Sequence, residues 1–156
     1  KLKIRSRSNH SLHNHRPMEV IVTTPEIYKI SLSGSGHVGT GFYEGNYFSA
    51  KLSGSGTIES EIYVNEVDAV ISGSGKILLS GEAVRSDFTI SGSGKIHSYD
   101  LEQQYSEVSI SGSGDAYVNV EKMLEVSISG SGDVLFINSP EIQSRISGSG
   151  RVINDN

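Results

Sequence analysis

Seven times along the chain an aliphatic residue stands directly before the tetrapeptide Ser-Gly-Ser-Gly: Leu32, Leu52, Ile71, Ile90, Ile110, Ile128 and Ile146. Two residues beyond each tetrapeptide comes a second apolar position, occupied by Val38, Ile58, Ile77, Ile96, Ala116, Val134 and Val152. The two sets share one parity, so the period-2 alternation of a half-buried strand runs straight through the motif. The motifs begin at Ser33, Ser53, Ser72, Ser91, Ser111, Ser129 and Ser147, at spacings of 20, 19, 19, 20, 18 and 18 residues. Helical repeats need about 33 residues or more, whereas one coil of a β-solenoid fits within 18 to 20. β-Branched residues at every second place suit a pleated, half-buried surface.

These features predict an all-β chain folded as a single parallel β-helix solenoid of about seven to eight coils. The solenoid is expected to be right-handed, because parallel crossover connections are. Stacking places like residues on like at ~4.8 Å, turning the two apolar columns into internal ladders. The paired glycines fall on the inward parity and the serines on the outward one. A corner repeated in each coil is therefore expected at Gly34, Gly36 and their equivalents, where a wall without side chains lets the backbone bend or approach its neighbour. One coil alone buries too little to fold, so stability comes from stacking. Gly-Ser segments otherwise serve as flexible linkers, but a linker would not carry an aliphatic residue at a fixed position before every copy.

Two regions are expected: a leader strand and polar loop over 1–19, and the solenoid over 20–156. Leu2 and Ile4 would supply the leader strand, and Asn9 to Pro17 the loop. Val20, Val22 and the run Thr23-Thr24-Pro25-Glu26-Ile27 would form a coil ahead of the first motif. The last coil is incomplete, since six residues follow Gly150. Starting at Lys1 rather than Met, the chain reads as a processed product whose targeting segment lay upstream. It contains neither a signal peptide nor a stretch of transmembrane length.

Composition fits a narrow stacked core: the chain has 156 residues, 35% of them hydrophobic, with 18 Gly, four Phe and no Trp. The net charge of −5 is unevenly spread, for the first 16 residues hold five of the 13 bases and none of the 18 acids. An acidic body argues against nucleic acid as a partner, because phosphate binding needs clustered Lys and Arg on the folded surface. With no cysteine there is neither a disulfide nor a thiolate metal site.

Residues 20 to 156 resemble the GIN domain, the head domain of auto-transporter adhesins of Gram-negative bacteria. The resemblance rests on Val22-Thr23-Thr24-Pro25-Glu26-Ile27 leading into Leu32-Ser33-Gly34-Ser35-Gly36, and on the recurring Ile-Ser-Gly-Ser-Gly followed by a charged residue and Val or Ile. It implies a β-helix on the cell envelope or outside the cell with an adhesive role. It transfers no catalytic or ligand residue.

Candidate sites come from the outward parity. The third residue before each aliphatic column is Lys29, Ser49, Asp68, Asp87, Glu107, Glu125 and Gln143, which stacks four acids. A calcium ion favours such carboxylate oxygens, yet the Asp-Gly-Asp turn spacing of calcium-binding coils is missing. A solvated acidic face is therefore expected, with no metal and no cofactor. The one aromatic cluster spans Phe42 to Phe48. Parity counted from both ends puts Phe42 and Phe48 inside and turns Tyr43 and Tyr47 outward, where amphipathic rings could stack on sugars. A second outward column, Leu78, His97, Tyr117, Leu135 and Ile153, is apolar enough to suggest an oligomer or partner contact.

His10, His13 and His15 lack the further ligands a metal site requires. The motif serines lack both the nucleophile-elbow pattern and a histidine at a recurring offset. The expected function is thus a binding or adhesion module presenting flat solenoid walls, not an enzyme. Its partner would be a glycan or a surface protein of a host or neighbouring cell. Self-association through open solenoid ends or through the Leu78, Tyr117 and Leu135 face is one alternative. The other is a polysaccharide-processing enzyme, whose chemistry would fall to the acids from Asp68 to Glu125.

Overall fold

A computed structural model of the protein describes residues 2–4 and 19–156. All regular structure among them is strand: β1 (Lys29–Gly34), β2 (His37–Gly54), β3 (Thr57–Gly73), β4 (Lys76–Gly92), β5 (Lys95–Gly112), β6 (Asp115–Gly130), β7 (Asp133–Ile137), β8 (Glu141–Gly148) and β9 (Arg151–Asn154). Each pairs in parallel with the strand of the next coil, in the order β1-β2-β3-β4-β5-β6-β7-β9, while β8 also pairs with β6. The result is a β-solenoid of about seven turns whose middle coils are each one long strand bent around the core.

The register is the one the repeat implies. Leu32, Leu52, Ile71, Ile90, Ile110, Ile128 and Ile146 lie over one another in sequence. So do Val38, Ile58, Ile77, Ile96, Ala116, Val134 and Val152. In the middle coils these columns are buried, and Ile58, Ile71, Ile77, Ile90 and Ile96 have no exposed surface. A third internal column, Ile30, Ala50, Ala69, Phe88, Val108 and Val126, shows volume compensation. The Phe88 ring sits over Ala69 and shares the inner face with the small Ser86, so one wide side chain is matched by narrow neighbours.

The chain bends at the second Ser and Gly of each motif. The first glycine of every copy has positive φ, from +106° at Gly34 to +135° at Gly130. A Cβ at Gly54 would stand 2.6 Å from the Gly34 carbonyl oxygen, so the stacked corners have room only for hydrogen. Hydrogen bonding between coils continues through the corner: Ser55 N donates to Gly34 O at 3.0 Å and Thr57 N to Gly36 O at 2.9 Å.

Differences in coil length are absorbed at other bends. Register shifts occur between Gly39 and Phe42, between Leu78 and Gly81, and between Ser98 and Glu102. Across the first the inward parity of β2 changes between Thr40 and Tyr43, and beside the others that of β5 changes between Ser98 and Leu101, while β4 keeps Ile77, Leu79 and Ala83 inward.

Two expectations about the N-terminal part change. The coil expected around Val20 and Val22 is not formed: residues 19–28 carry no strand, and Val20, Ile21 and Val22 are exposed. Of that segment only Ile27 packs against the core, and Tyr28 O accepts a hydrogen bond from Ser49 N at 2.8 Å. Leu2 and Ile4 are exposed and lie in no strand, while the loop from Asn9 to Pro17, with His10, His13 and His15, falls outside the described residues.

Candidate functional site

The acidic ladder is assembled as the spacing requires. Lys29, Ser49, Asp68, Asp87, Glu107, Glu125 and Gln143 are consecutive partners across the coils. Its first acid is already partnered, for Asp68 Oδ2 accepts from the Tyr47 hydroxyl at 3.3 Å and from Ser49 Oγ at 3.3 Å, with Lys51 Nζ at 3.5 Å. Burial, and then the neighbouring Asp68 charge, raise the Asp87 carboxyl above the usual range. Glu107 and Glu125 are exposed and flank a small hollow with Arg85 and Tyr105. Among the described residues no group of three or more metal-ligating side chains converges.

The tyrosines fall differently from the expectation. Tyr47 is 37% exposed and joins the ladder through Asp68, which brings two of the candidates together. Tyr43 is half-buried, its ring 5.8 Å from that of the buried Phe48 and its hydroxyl donating to Tyr47 O at 3.3 Å. Phe42, expected inside, is 61% exposed. The register shift between Gly39 and Phe42 is the cause, because one irregular step exchanges inner and outer faces for the residues beside it. Phe42 instead pairs at the surface with the half-exposed Tyr63, ring centroids 5.3 Å apart and planes tilted by 39°.

Beside that pair an open groove of about 460 Å³ runs along the solenoid over five coils. Glu44, Tyr63, Glu82 and Glu102 are register partners along it, and Glu121 lines its far end, one step past Val120, the partner of Gln103. Asn65, Val84 and Gln104 form a second row. Asn65 Nδ2 donates to Asn46 Oδ1 at 2.7 Å, and Lys122 Nζ donates to Gln104 Oε1 at 2.9 Å. None of the four glutamates forms an ion pair among the described residues. Sequence reasoning missed this groove because the aliphatic columns drew attention to the residues around the motif. The signal was available as a recurring offset: Glu44, Tyr63, Glu82, Glu102 and Glu121 each stand 10 or 11 residues after the start of a motif.

On another wall, Leu78, His97, Tyr117, Leu135 and Ile153 form the expected in-register column, each half-exposed. The His97 and Tyr117 rings stack with centroids 4.4 Å apart and planes 5° from parallel. Burial, followed by the Lys76 and Lys95 charges, lowers the His97 pKa, with Asp115 opposing.

Comparison with known proteins adds three findings. The family model described as "Putative auto-transporter adhesin, head GIN domain" matches residues 1–140. A solved structure from Parabacteroides distasonis, described as a "Putative lipid binding protein", is 31% identical with a TM-score of 0.79, over 80% of this chain and 52% of that one. A second, described as a "putative adhesin" from Parabacteroides merdae, is 22% identical with a TM-score of 0.70, over 80% of this chain and 55% of that one, and its likeness bears on fold alone. The chain thus spans about half the length of these two structures. No curated protein matches it.

Proposed function

The chain belongs to the family of GIN head domains of auto-transporter adhesins, and from that premise we propose that it is a binding module of the cell envelope or cell exterior that holds an extended glycan in the groove from Glu44 to Glu121. The observation that carries the reading is the groove itself. It is long, open and concave, and its rows of carboxylate and amide oxygens lie beside the exposed Phe42 and half-exposed Tyr63 rings. Carboxylates accept hydrogen bonds from sugar hydroxyls, and an amphipathic aromatic ring packs against a sugar face. Five coils at ~4.8 Å give the groove a length of about 20 Å, enough for a short run of sugars. The uncompensated glutamates favour neutral or amino sugars and repel sulfated or sialylated ones.

The test is a glycan array probed with the purified chain, with Phe42→Ala and the pair Glu82→Gln and Glu102→Gln as variants. Neutral or amino-sugar glycans should bind, and each variant should weaken binding at least tenfold without changing the melting temperature. Preference for anionic glycans, or binding indifferent to both variants, refutes the groove. A parallel arm with phospholipid vesicles covers the function that the Parabacteroides distasonis protein's description names. Vesicle binding without glycan binding would replace this reading.

A further inference from the structure

The wall carrying His97 and Tyr117 has a charge order that matches its own reverse. Beside the half-exposed central column runs a second outward column: Lys76, Lys95, Asp115, Asp133 and Arg151. Lys76 pairs with Lys95, Lys95 with Asp115, and Asp133 with Arg151 in the strand register, while Asp133 N donates to Asp115 Oδ1 at 3.2 Å. On the other side of the central column lie Tyr99, Asn119 and Ile137, tied by Asn119 Nδ2 donating to Tyr99 O and by the Asn119–Ile137 register pair. The wall therefore combines an apolar strip with two bases followed by two acids on consecutive coils. A sugar finds little here, because each of the stacked His97 and Tyr117 rings covers a face of the other.

We propose that this wall receives a second copy of the chain, lying antiparallel and related by a two-fold axis that crosses the wall between the coils of His97 and Tyr117. That operation sets each column against itself in reverse coil order. Leu78 meets Leu135 of the second copy, His97 meets Tyr117, Lys95 meets Asp115 and Lys76 meets Asp133. Every contact occurs twice, as an isologous interface requires. Within one chain Lys95 Nζ already meets Asp115 Oδ2 at 2.8 Å and Arg151 Nη2 meets Asp133 Oδ2 at 2.6 Å. The dimer joins these pairs into a network across the axis, and Lys76, which forms no ion pair among the described residues, gains a partner. Turning the second copy parallel, about an axis along the central column, would set the charged column against Tyr99, Asn119, Ile137 and Asp155, where Arg151 alone finds an opposite charge and Lys76, Lys95, Asp115 and Asp133 find none. The complementarity selects the antiparallel arrangement.

The surface is modest. Five coils at ~4.8 Å by five residues at ~3.3 Å make roughly 400 Å² per copy, below the ~800 Å² of a standard interface. A weak dimer follows, with a Kd on the order of 10–100 μM.

Sedimentation velocity on the full chain between about 10 μM and 1 mM tests this. The dimer fraction should rise across that range and fall in high salt. Leu135→Arg should leave a monomer with an unchanged circular dichroism spectrum and melting temperature, since Leu135 is half-exposed. Lys76→Asp should weaken the dimer at least tenfold, and combining it with Asp133→Lys should restore it to within about threefold, because the reversed pair still meets across the axis. A monomer at every concentration overturns the proposal. So does a dimer indifferent to Leu135→Arg, or failure of the double exchange to restore association in a chain that still melts normally.

Discussion

The side-chain amide of Gln103, wholly buried inside the solenoid, donates from Nε2 to Ser98 Oγ at 3.2 Å. Its oxygen accepts from the Ser86 hydroxyl, Ser86 and Ser106 share a hydrogen bond at 2.8 Å, and Ser98 Oγ donates to Tyr117 O at 2.9 Å. The cluster thus ties β4, β5 and β6 together, and no buried side-chain polar atom among the described residues lacks a partner. Coils bearing the same motif could in principle slip by one repeat and still match their aliphatic columns. A polar cluster confined to a few coils opposes such a slip, because misplacement would orphan buried hydroxyls.

Gln103→Leu should therefore destabilise the chain by about 1–3 kcal/mol, read as a lower urea midpoint, because Ser86 and Ser98 lose the amide and keep only Ser106 and Tyr117 O. Adding Ser86→Ala and Ser106→Ala removes the remaining Ser86–Ser106 pair whole, leaves Ser98 donating to Tyr117 O, and should recover most of that loss. A triple variant less stable than the single one would show that the cluster's hydrogen bonds are not what sets the cost.

The motif glycines separate two effects that usually travel together. Gly34 has φ +106° but open space where a Cβ would go, whereas Gly73 has φ +125° and would place its Cβ 2.6 Å from Gly54 O. Gly34→Ala should cost only the backbone strain, about 1–2 kcal/mol. Gly73→Ala adds a clash with backbone that cannot move without shifting the neighbouring coil, so it should cost clearly more. Gly36→Ala, without positive φ and with its nearest contact at 3.6 Å, should be close to neutral. Thermal melting of the three variants checks the order.

What the sequence revealed and what it hid divide along physical lines. Stacking copies every outward and inward position onto the next coil, so the Ile column, the glycine corner and the order from Asp68 to Glu125 could be read from spacing alone. Parity fails at the bends, both where the register is unbroken, as between Val64 and Val67, and where a coil absorbs an extra residue. Phe42 lies beside such a step and emerges exposed, while Tyr43 turns half inward. The internal serines Ser86, Ser98 and Ser106 were hidden for another reason: a hydroxyl at an inward position reads as a misfit until its partner, here chiefly Gln103, is seen.

His97 predicts a pH response. Burial and the nearby lysines lower its pKa in the folded chain below the unfolded value. Between those two values the unfolded chain binds more protons, so the stabilisation is present above about pH 6.5 and is lost as pH falls toward the folded value. Melting temperature should drop across that window, and His97→Gln should flatten the drop. An unchanged slope in the variant would assign the response to other groups.

Asp87 offers the opposite case on the acidic ladder. Burial and the Asp68 charge raise its folded pKa, so the ionised carboxylate opposes folding at neutral pH and that opposition fades as pH falls through the folded value. Asp87→Asn should therefore raise the melting temperature at pH 7 and lose its advantage near pH 3, where both states of the parent chain carry the proton. Asp68→Asn should do the reverse at pH 7, because its carboxylate is held by Tyr47, Ser49 and Lys51. The same pairing predicts how the ladder treats calcium. With Asp68 engaged and Glu107 and Glu125 in solvent, no set of oxygens closes around an ion, and adding calcium should leave the melting temperature of the parent chain where it was. A calcium-dependent rise that Asp87→Asn abolishes would show instead that the ladder gathers a cation and that the raised Asp87 pKa marks its site.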